Sequence, residues 1–181
     1  GFLDVVISLN ENIKLYKNNG NGSFTLIETM TVDGSNNQVE WGDYDSDGDI
    51  DLLCNGYIFR NNAGSFTKIS VPGAGSAVTG NAGTQWGDYD NDGDLDFIVG
   101  GNGITKTLIF KNTNGFFAQI APGLESTSFS TYQWGDYDND GNLDILVSSY
   151  SNGAPKVYKN NGDGSFTEMN LGGATDQCGD G

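Results

Sequence analysis

The 181-residue sequence predicts an all-β fold: a β-propeller of four-stranded antiparallel blades, with four repeats in the chain and the C-terminal strand completing the N-terminal blade. Three observations predict it. One string recurs at intervals of 45 and 48 residues: WGDYDSDGDID from Trp41, WGDYDNDGDLD from Trp86 and WGDYDNDGNLD from Trp134. Each interval holds four short β-like runs. No segment shows a 3.6-residue period with caps, so essentially no helix is expected. A period in the forties, rich in aromatics and glycine, is that of propeller blades.

The elements follow in order within each repeat. The first strand carries the tryptophan, as in Val39-Glu40-Trp41 and Tyr132-Gln133-Trp134. The second is a nearly continuous apolar run after the acidic string: Val5-Val6-Ile7, Leu52-Leu53-Cys54, Phe97-Ile98-Val99 and Ile145-Leu146-Val147. Such runs suit strands buried on both faces. The third ends in an aromatic, a basic residue and asparagine: Tyr16-Lys17-Asn18, Phe59-Arg60-Asn61, Phe110-Lys111-Asn112 and Tyr158-Lys159-Asn160. Turns rich in Asn and Gly, residues that tolerate positive φ, come next. The fourth strand starts at Phe24, Phe66, Phe117 and Phe166, and the stretches Pro72–Thr84 and Pro122–Thr131 connect one repeat to the next. Recurrence of Trp and Phe at fixed positions assigns them to packing between blades, where large rings supply most of the buried area in thin sheets.

The chain opens and closes inside a repeat. Gly1-Phe2-Leu3-Asp4 matches the tail of the acidic string, and Gln177-Cys178-Gly179-Asp180 matches its start, with Cys178 in the Trp position. The expected blades are 1–37 plus 175–181, 38–82, 83–130 and 131–174, forming a single domain. The rivals to a closed four-blade ring are a window from a longer propeller and a building block that closes with another chain. In a closed ring the strands of Cys54 and Cys178 are neighbours, so a Cys54–Cys178 disulfide is expected, the alternative being two independent thiols.

Composition excludes several functions. The formal charge is −16, with 24 acidic residues against 8 basic, so phosphate backbones are repelled and nucleic-acid binding is not expected. No apolar run approaches the ~18 residues of a membrane helix, so membrane insertion is not expected. The absence of histidine removes Ser-His and Cys-His dyads and imidazole metal sites. Only 36% of residues are hydrophobic, a level at which disorder must be considered. Yet 14 of the 19 aspartates fall in three nine-residue windows, so the acidity is local and organised.

Each window reads DxDxDGxxD. Positions 1, 3, 5 and 9 are Asp43, Asp45, Asp47 and Asp51; Asp88, Asp90, Asp92 and Asp96; and Asp136, Asp138, Asp140 and Asp144. Gly48, Gly93 and Gly141 hold position 6, where a sharp bend is needed. Four carboxylates so close repel one another unless a cation sits among them. Hard oxygen ligands on a flexible loop favour Ca²⁺ over Mg²⁺ or Zn²⁺. Position 7 (Asp49, Asp94, Asn142) varies in charge, so its backbone carbonyl is the expected ligand. A helix–loop–helix calcium site is excluded, because position 12 is Cys54, Val99 or Val147 rather than Glu and the flanks are strand-like.

The strings WGDYDNDGDLD, spaced by ~45 residues and followed by an aromatic-Lys-Asn-Asn-Gly-Asp-Gly-Ser-Phe turn, resemble the VCBS/FG-GAP repeats. These are the calcium-binding blades of integrin-α-type propellers and of many secreted bacterial proteins. The resemblance covers essentially the whole chain. It implies calcium at positions 1, 3, 5 and 9, in the hairpin between a blade's first and second strands. Asp180 and Asp4 match positions 1 and 9 of a further loop, but nothing supplies positions 3 and 5, so three calcium sites are expected.

The resemblance implies a secreted or cell-surface, non-enzymatic module for adhesion or recognition of glycans or proteins. Tyr57, Phe129 and Tyr150 interrupt the repeat rhythm and are the candidate ligand contacts. A structural unit of a surface layer or fibre, self-assembling with identical chains or further repeats, is the first alternative. Part of a polysaccharide-active enzyme is the second; against it, the remaining acids Glu11, Glu28, Glu40, Glu125 and Glu168 are scattered and no GxSxG occurs. Asn21-Gly22-Ser23 fits an N-glycosylation acceptor on an exposed turn.

Overall fold

A computed structural model describes residues 4–33, 38–74, 82–101, 107–120, 124, 130–149 and 155–171. Fifteen strands and no helix occur among them. They form four antiparallel meanders. The first sheet has three strands, β1 (Val5–Leu9), β2 (Asn12–Asn18) and β3 (Phe24–Thr31). The second comprises β4 (Val39–Gly42), β5 (Asp51–Cys54), β6 (Tyr57–Asn62) and β7 (Ser65–Ser70). The third comprises β8 (Ala82–Gly87), β9 (Asp96–Gly101), β10 (Leu108–Thr113) and β11 (Phe116–Ile120). The fourth comprises β12 (Ser130–Gly135), β13 (Asp144–Ser149), β14 (Lys156–Asn160) and β15 (Phe166–Met169). The expected connectors therefore end in strand: β8 and β12 begin inside the two Gly/Ser/Thr-rich stretches. The segment expected to complete the first sheet, 175–181, lies outside the described residues, as do Cys178, Phe129 and Tyr150.

Period-two alternation along each second strand sends side chains to opposite neighbours. In β5, Leu52 and Cys54 face the first sheet and meet Ile13, Leu15, Met30 and Val32. Leu53, between them, joins Trp86, Phe97, Val99 and Phe110 of the third sheet. In β9 the pattern repeats: Phe97 and Val99 face back, while Ile98 faces forward to Ile145, Val147 and Tyr158. The core is thus three interfaces between consecutive sheets rather than one central mass. A repeat that buries apolar surface only against its neighbours is stabilised by nearest-neighbour terms.

The tryptophans key these interfaces. Trp86 pairs across the strands with Phe97 and therefore points back to the second sheet. A methyl group at Gly42 would lie 2.8 Å from Trp86 Cδ1, and one at Gly87 would lie 2.7 Å from Trp134 Cδ1. Only glycine leaves room there. Trp86 also stacks on Tyr44 at 6.1 Å with parallel planes. The residue before one tryptophan caps the next: Trp86 N donates to Glu40 Oε2 at 2.9 Å, and Trp134 N donates to Gln85 Oε1 at 2.7 Å. Trp41 has no such socket among the described residues and is 40% exposed.

Candidate metal centre

Each acidic string is the hairpin between the first and second strands of its sheet. Its wrap comes from two left-handed residues. The position-6 glycines have φ near +90°, as their identity predicts. Position 4 is also left-handed (Ser46, Asn91 and Asn139, φ 55°, 58° and 59°), which the strings do not announce beyond two of the three being asparagine. With both in place, the position-1 carboxylate takes two backbone donors. Asp43 accepts from Asp47 N at 3.1 Å and Gly48 N at 3.0 Å; Asp88 and Asp136 do the same with their equivalents.

Position 9 is buried at the strand start. Asp51 and Asp96 are 0% exposed and Asp144 is 1%. Each bridges the loop and the third strand: Asp96 accepts from Tyr89 N at 3.0 Å and Asn112 N at 2.7 Å. Burial pushes the Asp51 carboxyl up to about 6 and Asp96 up to about 7, against the lowering effect of those amide donors.

Positions 1, 3 and 9 converge. One carboxylate oxygen from each of Asp43, Asp45 and Asp51 lies within 4.8 Å of the others, and the triads Asp88/Asp90/Asp96 and Asp136/Asp138/Asp144 repeat this. Asp45 Oδ1 and Asp90 Oδ1 are buried and accept no hydrogen bond. A buried carboxylate oxygen without a donor is costly unless a cation completes it. The three triads can therefore hold metal ions, and an all-oxygen donor set fits a hard divalent cation.

Two expected ligand positions behave differently. Position 5 stands outside the triad. Asp47 Oδ1 accepts from Asp49 N at 2.9 Å, and its Oδ2 lies 3.2 Å from Arg60 Nη2. Asp92 and Asp140 pair likewise with Lys111 at 3.1 Å and Lys159 at 3.0 Å. A basic side chain from the third strand attracts this carboxylate outward. Position 7 turns its side chain to the next hairpin, where Asp49 accepts from Ala63 N at 2.7 Å and Asp94 from Asn114 N at 2.8 Å. Asn142 instead accepts from Asn91 Nδ2 of the preceding loop at 3.2 Å. Only the position-7 backbone is left to serve an ion.

One supporting residue was not assigned a role from the sequence. In the third and fourth sheets the asparagine after the third-strand cation is a buried staple. Asn112 Nδ2 donates to Leu95 O at 3.1 Å in its own loop and to Tyr44 O at 2.7 Å in the preceding one. Asn160 repeats this with Leu143 O and Tyr89 O. Its recurrence was visible; its reach into the neighbouring loop was not, because that requires sheet stacking.

Of the candidate ligand contacts, Tyr57 is corrected. It is 7% exposed, packs in the interface between the first two sheets, donates to Asp33 Oδ2 at 2.5 Å and carries Lys68 Nζ 3.8 Å above its ring. It is a core residue, aromatic because the interface needs area. Cys54 is fully buried, and burial pushes its thiol up to about 12. Asn21 lies on an exposed hairpin turn, as glycosylation would require.

Four sheets that stack in chain order, three of them carrying a carboxylate hairpin, define a repeat protein of blade-like units. Four matches to the model of the FG-GAP-like repeat, at residues 1–54, 55–99, 88–147 and 136–180, show that the chain belongs to this repeat family. A solved lectin of Agrocybe aegerita, described for its specific recognition of non-reducing terminal N-acetylglucosamine, is similar over 91% of this chain at 20% identity and a TM-score of 0.56. The chain spans 47% of that lectin, and the likeness is one of fold. No curated protein matches.

Proposed function

We propose that the chain is a calcium-stabilised, non-enzymatic recognition module of extracellular proteins, binding glycan or protein ligands through propeller loops. The observation that carries the calcium part is the buried, donor-less oxygen of Asp45 and of Asp90 beside two converging carboxylates. The repeat family and the lectin-like fold support the recognition part. Most of the aspartates are engaged in the loops, which leaves few acids for catalysis. Three bound ions would take the formal charge from −16 to −10, adding +2 three times. At ten times Kd, each ion adds RT ln 11, about 1.4 kcal/mol. Chelation should therefore lower Tm markedly, and a glycan array should lose its signal in chelator. An unchanged melt after thorough chelation rejects the calcium part.

The ring closes, in this reading, when residues 175–181 add a strand to the open edge of β1. Both sides of that slot support it. Among the described residues Trp41 lacks a socket, while Gly135, the next socket, has nothing within 4 Å of its methyl position. Gly135 lies in a 280 Å³ cleft with Trp134, Tyr137, Leu146 and Val157. In the closed ring the strands of Cys54 and Cys178 are neighbours, and the expected Cys54–Cys178 disulfide goes with closure. Non-reducing peptide mapping that recovers a Cys54–Cys178 pair supports the ring; both cysteines free, or paired between chains, counts against it.

A second reading, a self-assembling unit, is favoured by the apolar outer faces, with Leu9 51%, Leu146 41% and Ile7 40% exposed. Sedimentation separates the two: concentration-dependent growth supports assembly, and a strict monomer supports the ring.

A further inference from the structure

We propose that Arg60, Lys111 and Lys159 are internal counter-ions, which hold the acidic loops together without metal and keep their calcium affinity low. The inference rests on the calcium reading. The geometry recurs three times. Arg60 Nε lies 2.8 Å from Asp45 Oδ2, and its Nη2 lies 3.2 Å from Asp47 Oδ2. Lys111 Nζ bridges Asp90 and Asp92, and Lys159 Nζ bridges Asp138 and Asp140. One cation thus spans positions 3 and 5 of every loop.

An isolated exposed ion pair contributes little, and these cations are 31–43% exposed. Here each cation faces two carboxylates that also repel each other, so its removal unmasks that repulsion as well as losing the pairs. It also occupies only part of the site. In the first two loops the position-3 carboxylate gives Oδ2 to the cation while Oδ1 stays buried without a donor. A metal ion joining the triad shares that carboxylate with the basic side chain. Two positive charges then bear on the same group, and their repulsion weakens metal binding. Position 5, a ligand on sequence grounds, is held off the triad by the same cation.

The sequence adds a control. Lys17 holds the same place in the first sheet, but only Asp4 of such a loop precedes it. The function that follows is tuning. The blade forms before it meets calcium, and the sites respond at the high calcium levels outside cells, where Kd values of order 10⁻⁴–10⁻³ M are used.

The test measures calcium binding by calorimetry and Tm with and without EDTA for the wild type, Lys111→Gln, Lys111→Arg and Lys17→Gln. Lys111→Gln should lower Tm in EDTA by roughly 2–4 °C. It should also tighten one of the calcium sites about tenfold, as loss of a like charge a few ångströms away implies. Lys111→Arg and Lys17→Gln should match the wild type. The opposed signs matter: a merely structural lysine would lower both quantities. Calcium binding by the wild type with no tightening in Lys111→Gln overturns the counter-ion role and leaves the metal reading standing. No calcium binding by the wild type, with no change in Tm, defeats both. If Lys111→Gln does not fold in EDTA, Lys159→Gln, in the more exposed loop, gives the same readout.

Discussion

The second strands of the inner and outer sheets have the same apolar character but different environments. In the inner sheets, Leu52, Leu53 and Cys54, and Phe97, Ile98 and Val99, are all 0% exposed. In the fourth sheet Ile145 is 0% and Val147 5% exposed, yet Leu146 is 41% exposed; in the first, Ile7 is 40% exposed. Burial here is a property of the neighbour, not of the strand. Every sheet presents two apolar faces, and what stabilises it is the sheet on either side.

The largest test of that difference is a pair of truncations. Phe97→Ala empties a site packed by Trp86, Phe110 and Phe117 and should cost about 3–5 kcal/mol in urea unfolding. Leu146→Ala, on an outer face, should cost less than about 1 kcal/mol. Comparable losses would mean that the outer face of the fourth sheet is covered in solution, as ring closure or self-assembly requires.

A second test uses pH. In the inner sheets the carboxyls of Asp51 and Asp96 are buried and pushed up to about 6 and about 7, against about 3.9 in an unfolded chain. Between those values the metal-free native state holds protons that the unfolded state releases. The contribution of these groups to its stability should therefore be greatest at the acid end and fall as pH rises from about 4 through 7. Asp47, Asp92 and Asp140 are shifted the opposite way, chiefly by backbone amides, and act below that window. Calcium competes with the protons, so saturating calcium should flatten or invert the trend. Melts of Asp96→Asn in EDTA should lose much of the slope; an unchanged slope would place the titration elsewhere.

The repeats, the strand order and the loops were legible in the sequence because each rests on a local rule. Recurrence gave the period, short apolar runs and recurring aromatics gave the strands, and DxDxDG gave the bend. What could not be read depends on stacking. The runs at Val5-Val6-Ile7 and Ile145-Leu146-Val147 resemble the inner ones, so two-sided burial was expected of all four. Tyr57 looked like an irregular surface aromatic because its partners, Ile13, Leu15 and Met30, come from another repeat. Position 5 looked equivalent to positions 1, 3 and 9 because its cation lies 13 residues on for Asp47 and Arg60, and 19 on for Asp92 and Lys111. Nor does the string reveal that a third-strand asparagine reaches into the preceding loop.

That asparagine supplies a third and smaller test. Asn112 is buried and holds carbonyls of two sheets, whereas the side chain of Asn61, in the second sheet, donates to Ile50 O at 3.0 Å within its own loop. Asn112→Ala leaves buried carbonyls unpaired and should cost about 1–3 kcal/mol. Asn61→Ala should cost clearly less. Equal costs would show that the staple acts within its own sheet rather than between sheets.

The smallest effect has the most informative sign. Gly87 and Gly135 hold the same place after their tryptophans, in strands of the same register. A methyl group at Gly87 would meet three Trp134 atoms at 2.7–3.0 Å, so Gly87→Ala must displace an indole from the interface and should cost about 1–3 kcal/mol. At Gly135 nothing among the described residues lies within 4 Å, and alanine there should be neutral or stabilise by up to about 0.5–1 kcal/mol through the lost freedom of glycine. A destabilising Gly135→Ala would mean that a side chain fills the cleft in solution. Repeating the measurement across a hundredfold range of protein concentration then identifies the occupant. A cost that grows with concentration belongs to a second copy, and a constant one belongs to the chain's own closing strand.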